Sequence, residues 1–115
     1  MVFVDDTRFH YGRMIMCHMW ADTDAELHAM ARQVGLQEKW FQCPPRASWN
    51  HYDISLTLKA KAIALGAILT DRYGALEHRA RQTGDQKTID RIEGARRRRA
   101  KDSGEFCLTY PRNRP

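Results

Sequence analysis

Long hydrophobic runs are missing from this sequence. No apolar stretch approaches the roughly 20 residues that span a bilayer, so neither a transmembrane helix nor a membrane partner is expected. The opening residues, MVFVDDTRFHYGR, meet two aspartates at Asp5 and Asp6, which excludes the apolar segment of a secretory signal. Cysteine is scarce as well. Cys17, Cys43 and Cys107 are widely spaced, odd in number and without a CxxC pair. This excludes a disulfide framework and points to free thiols in a reducing cytoplasm. A zinc site shared by Cys17 and His18 is not expected, because adjacent strand residues point to opposite faces. The chain has no glycine-rich phosphate loop, no GxGxxG, no nucleophile signature around Ser48 or Ser55, no internal repeat and no long linker.

What is present is a chain of 115 residues with 43% hydrophobic content, enough for one domain with a modest core. The net charge is +5, and its distribution says more than its sum. Residues 1–70 are nearly balanced, whereas residues 91–101 read RIEGARRRRAK. A basic C-terminal third suits phosphate-bearing or acidic partners.

VFVD, residues 2–5, is β-branched and aromatic and predicts a short buried strand ending at the double aspartate. FHYGR turns the chain at Gly12. MIMCHMWA, residues 14–21, is apolar on both faces, as an interior strand is. Thr23 and Glu26 then form a capping box, Leu27, Met30, Ala31 and Val34 make one apolar stripe, and Gly35 supplies a left-handed stop. A helix over 24–34 follows. KWFQC predicts a third strand, PPRASWN a loop, LTLKAKAIAL a helix capped by Ser55, and AILT a last strand. The expected fold is α/β: a small mixed sheet with flanking helices in the order β-β-α-β-α-β, with at least one parallel crossover. Residues 1–70 form this core. Residues 71–115 add a helix capped by Asp71, a basic helix over 86–101 anchored by Ile89 and Ile92, and an arm, EFCLTYPRNRP, packed on the body or extending from it.

Functional groups of α/β sheets gather where strands end and helices begin. Asp5 and Asp6 close the first strand, Asp22 the second, and Gln42 follows the third. His51, Tyr52 and Asp53 approach the second helix, which carries Lys59 in its first turns. One shared polar rim is the expectation. Two readings stay open at His18: a buried imidazole satisfied by an aspartate or carbonyl, or a pocket wall that binds ligand or moves a proton, its tautomer set by a carboxylate such as Asp5. Asp53 either caps the helix, with His51 in a loop, or joins the site. A divalent metal on Asp5 and Asp6, with Asp22 or Asp53, stands against pairing of those carboxylates with Arg8 or Arg13. Arg96, Arg97, Arg98 and Arg99 are either a solvated helix face or an electropositive surface making salt-sensitive phosphate contacts, with Phe106 and Tyr110 nearby as stacking groups.

The stretches VFVDD, CHMWADTDAELHAMARQVG, WFQ, HYDIS and KAKAIALGA, with Gly12, together resemble the uncharacterised family DUF4031 of bacteria and phages over about residues 2–70. The resemblance implies recurring polar positions at Asp5, His18, Asp22, His51 and Asp53 and a usually basic one at Lys59, and it supplies no activity. Its phage occurrence implies an accessory role on a mobile element, extending to counter-defence. The function expected is binding of a nucleotide or nucleic acid through a His/Asp pocket and the basic C-terminal surface. The alternatives are a small metal-assisted hydrolase or nuclease, with His18, His51 and Asp53 as catalytic candidates, and an inhibitor that binds a protein partner.

Overall fold

One long strand organises the N-terminal part of the chain. In the computed structural model, which describes residues 1–103, this is β3 (Met14–Ala21). β1 (Val2–Val4) and β2 (Phe9–Tyr11) both run antiparallel to it along one edge, pairing with its second and first halves. β4 (Tyr52–Ser55) runs antiparallel along the other edge, since Met16 and Met19 each have partners on both sides. β5 (Ile68–Leu69) lies parallel to β1 and supplies the crossover connection. The sheet is therefore mixed, as the sequence leads one to expect.

Side-chain alternation divides this sheet into two chemically different faces. Val2, Val4, Cys17, Met19, Tyr52 and Ile54 share one face and pack with α1 (Asp24–Val34) and α2 (Leu56–Ala64) in a single core. Phe3, Trp20, His18 and Asp53 share the other. α1 is held by its predicted signals. The Thr23 hydroxyl oxygen accepts from the Glu26 backbone N–H at 3.2 Å, Leu27, Met30, Ala31 and Val34 are buried, and Gly35 has φ 94°. The Glu26 carboxylate accepts from the Thr23 hydroxyl at 2.9 Å rather than from a backbone amide. Ser55 caps α2 through the Leu58 N–H. Burying a Leu or Val contributes on the order of 1.5–3 kcal/mol, so the α1 stripe anchors the layer.

Two expectations about this part fail. Residues 39–43 do not form a strand: Glu38–Trp40 is a 3-10 helix, and only Gln42 bridges to His51. The strand lies at Tyr52–Ser55 instead, so HYDIS is not a loop before α2. The reason is alternation. Tyr52 and Ile54 can face the core opposite Met19 and Cys17, whereas Trp40 and Phe41 are adjacent, and Trp40 remains 49% exposed. FHYGR is also more than a turn, since Phe9–Tyr11 pairs across Gly12, whose φ of 60° suits glycine, with Met14–Met16.

By contact density the chain divides into two compact units, Met1–Thr70 and Asp71–Pro115. In the second, α3 (Gly74–Thr83) and α4 (Gln86–Ser103) meet at Gly84, in the left-handed conformation, and Asp85 caps α4 by accepting from Thr88. Ile89 and Ile92 are buried, as their spacing predicts. Asp71 does not cap α3. Its carboxylate accepts from the Tyr73 amide and from Arg96, at 2.7 and 2.9 Å. Glu77 takes a third bond from Arg96, at 2.7 Å. Arg96 is thus 2% exposed, which corrects the expectation that all four arginines are solvated. A guanidinium can be buried when carboxylates pair its charge and its nitrogens, and Asp71 and Glu77 here bond all three nitrogens of Arg96. Arg97, Arg98 and Arg99 are exposed. The arm EFCLTYPRNRP, with Phe106, Cys107 and Tyr110, lies outside the described residues. No helix among the described residues is long and apolar enough to cross a membrane.

Candidate metal centre

The second face of the sheet collects the polar groups. His18 and Asp53 are direct cross-strand partners of β3 and β4, so their side chains stand side by side. His51 precedes Asp53 by two residues and therefore points to the same face. Asp5 arrives by an irregularity of the opposite edge. Val4 pairs with Met19 and Phe9 with Met16, so Asp5, Asp6, Thr7 and Arg8 lie opposite only Cys17 and His18. The extra residues bulge, and the bulge turns the Asp5 carboxylate back onto His18.

Asp5 is 2% exposed, and its acceptor capacity is well used. Oδ1 accepts from the Thr7 hydroxyl at 2.7 Å and the His18 amide at 3.0 Å, and Oδ2 lies 2.8 Å from His18 Nδ1. Burial by itself would raise the pKa of this carboxyl. The bonds from His18 and Thr7 outweigh it and hold the group below its ordinary value. An ionised carboxylate can only accept, so His18 Nδ1 carries the hydrogen and Nε2 is the ring nitrogen left on the side of Asp53. His51 is set the same way by a different group. Its Nδ1 lies 3.0 Å from the Trp49 carbonyl oxygen, which can only accept, and Nε2 again faces outward.

Both Nε2 atoms face one carboxylate oxygen. Asp53 Oδ1 lies 3.2 Å from His51 Nε2 and 3.9 Å from His18 Nε2, and the three ligating atoms all fall within 4.8 Å of one another. The Gln42 amide donates to Oδ2 of Asp53 at 2.5 Å and so orients Oδ1 toward the histidines. Asp53 is held below its ordinary pKa: burial would raise it, but the His51 and Gln42 bonds and the histidine charges outweigh that. His18 is raised above its own ordinary value: burial would lower it, and the Asp5 bond with the charges of Asp5 and Asp53 overcomes that. The electrostatics therefore favour positive charge among these groups. A proton on His51 Nε2 satisfies its contact with Asp53 Oδ1, and a divalent cation can take that proton's place between the two imidazoles and the carboxylate.

Two imidazole nitrogens and one carboxylate oxygen suit a first-row divalent metal with open coordination positions. The Asp5–His18 and Trp49–His51 bonds are the outer contacts that fix metal-binding histidines. The rim is aromatic. Trp49 stacks on His51 at 4.1 Å between centroids, and Phe9 stacks on His18 at 5.0 Å. His18 and Asp53 stay about a quarter exposed, 26% and 28%, so a ligand can reach them.

Asp5, His18, His51, Asp53 and Gln42 are brought together. Asp22 is not among them, because antiparallel pairing puts the ends of β1 and β3 at opposite sides: Asp22 sits beside Met1, where it pairs with the terminal amine. Asp6 is exposed and pairs with Lys59 at 3.4 Å, so that ammonium is committed there, on the helix layer. Asp5 and Asp6 thus do not form a joint cation site, and among the described residues the group placed to hold a metal ion is His18, His51 and Asp53. Cys17 and His18 do point to opposite faces, Cys17 into the core, where burial pushes its thiol up to about 12, and His18 toward Asp53. The partner that His18 meets lies on a strand distant in sequence. Thr7 and Trp49 were not singled out from sequence. The spacing H-x-D, read as a strand, would have placed His51 and Asp53 on one face.

No curated protein and no solved structure matches the chain. A family model described as "Protein of unknown function (DUF4031)" matches residues 2–83, which extends the resemblance past residue 70 to the end of α3. The chain belongs to the DUF4031 family.

Proposed function

We propose that this protein is a metal-dependent hydrolase with one divalent ion held by His18 Nε2, His51 Nε2 and Asp53 Oδ1. The observation that carries the reading is the convergence of His18 Nε2, His51 Nε2 and Asp53 Oδ1, with ligand atoms within 4.8 Å of one another, while both Nδ1 atoms are bonded to other groups. A metal held there would supply a water acidified enough to act as hydroxide at neutral pH. The chain's residues do the rest. Asp5 and the Trp49 carbonyl orient the imidazoles, Gln42 fixes Asp53, and the Phe9 and Trp49 rings exclude bulk water from two sides. In the reaction, water oxygen bonds to the electrophilic centre and the ester bond breaks with its electron pair on the leaving oxygen. The water proton ends on that oxygen, so no redox partner is needed.

The test is titration of metal-free protein with Zn2+, Co2+ and Mn2+ by calorimetry, followed by turnover of phosphate and carboxylate esters. Stoichiometric binding, lost in His51→Ala and Asp53→Asn, with metal-dependent ester hydrolysis, supports the proposal. Binding that is indifferent to both substitutions overturns it, and so does uptake of metal with consumption of O2 in place of hydrolysis.

A second reading has its own observation. Arg97, Arg98 and Arg99 are exposed in a row on α4, which suits a nucleic-acid or nucleotide binder without turnover. Salt-sensitive retention of DNA by protein that hydrolyses nothing favours it. The phage accessory role, with counter-defence, belongs to either reading.

A further inference from the structure

A groove of about 650 Å³ opens beside the histidine cluster and shares Phe9, Gln42 and Asp53 with it. Its volume lies within the range of small-molecule sites, about 300–1,000 Å³. The walls combine two chemistries. Phe9, Trp40 and Phe41 offer flat aromatic surface, and Trp40 is half exposed although large and apolar. Lys39 and Arg46 bring two cations to the same groove, and neither makes an ion pair among the described residues. Asp53 is the groove's carboxylate, and its charge is directed at the histidines.

Resting on the hydrolase reading, we propose that this groove selects nucleotides: a base stacked against the aromatic wall, a phosphate on Lys39 and Arg46, and the scissile phosphate ester at the end bounded by Asp53. Aromatic side chains stack on any base because every base has a π-face, and a guanidinium binds phosphate by a two-pronged bond. The released pair is an alcohol and a phosphate, formed as water adds to phosphorus and the P–O bond breaks.

The experiment measures AMP, the dinucleotide pApA and uncharged adenosine by calorimetry on the full chain, with Zn2+ and without it, for the wild type and for Lys39→Glu/Arg46→Glu. Zn2+ affinity is measured on both proteins in parallel. The expected result is nucleotide binding that falls at least about tenfold in the double variant, weaker binding of adenosine than of AMP, and unchanged Zn2+ affinity. Equal binding of adenosine and AMP overturns the proposal, as does nucleotide affinity that ignores the double substitution. Nucleotide binding that behaves as expected in a chain that takes up no Zn2+ overturns the hydrolase reading and leaves the groove standing. Zn2+ uptake with no nucleotide bound does the reverse. A circular-dichroism melt matching the wild type shows that the double variant is folded.

Discussion

His51 Nε2 lies 3.2 Å from Asp53 Oδ1, although the two residues are separated by one position in the chain. On a helix or in an irregular loop this spacing would send the side chains apart. Here Asp53 is in β4 and His51 bridges to Gln42 just before it, so both face the same side and meet His18 from the neighbouring strand.

The outer contact to His18 is the most informative single change. Asp5→Asn should lower metal affinity by about 10–100-fold without removing a ligand, because the Nδ1–H loses its charged acceptor. Calorimetry with Zn2+ checks this. Affinity equal to that of the wild type would return Asp5 to a purely structural role.

Metal uptake should weaken on acidification. Protons compete for both Nε2 lone pairs, and a ligating imidazole must be neutral. Zn2+ titrations at a series of pH values should show affinity falling as pH drops through the histidine range, with protons released on binding at the lower values. Affinity flat across that range would mean that the histidines are not the ligands.

Arg96 should be far more important to the second unit than its three neighbours. Arg96→Ala leaves the buried Glu77 with Arg81 alone, removes the guanidinium from Asp71 and should cost about 3–5 kcal/mol. Arg97→Gln, Arg98→Gln and Arg99→Gln together should move stability by about 0.5 kcal/mol or less at each site. Urea unfolding of the wild type and these two variants separates the cases.

Acid should weaken the same unit. Burial would raise the Glu77 carboxyl, but hydrogen bonds and charges from Arg96 and Arg81 outweigh it and hold the group below the ordinary glutamate range. A depressed folded-state pKa adds stability that is complete above the unfolded glutamate value and lost as pH falls through the folded one. Wild-type stability should therefore drop below the ordinary carboxyl range, and Glu77→Gln should show a shallower decline there. Parallel slopes would remove Glu77 from the account.

Leu27→Ala should cost about 2–5 kcal/mol, since the side chain is 1% exposed in the core under α1. A thermal melt that does not move would contradict the packing of this helix.

The sequence by itself determined whatever is written in local chemistry. The T-x-x-E box, the stripe from Leu27 to Val34 and Gly35 specify α1 with its ends, because each signal acts within one or two helical turns. The apolar run at 14–21 specifies the central strand, and alternation along it puts His18 on the face opposite Cys17. Only the tertiary structure decided the remainder. Which segment became the edge strand, 39–43 or 52–55, depended on which could set two apolar side chains against Met19 and Cys17 while leaving Asp53 beside His18. Helical spacing puts Arg96, unlike Arg97, on the stripe of Ile89 and Ile92, but a sequence does not show that Asp71 and Glu77 come within reach of its guanidinium and let it be buried there. The candidate metal-binding cluster has the same origin. Cross-strand register joins His18 to residues more than thirty positions away, and no local pattern encodes a register set by packing across the sheet.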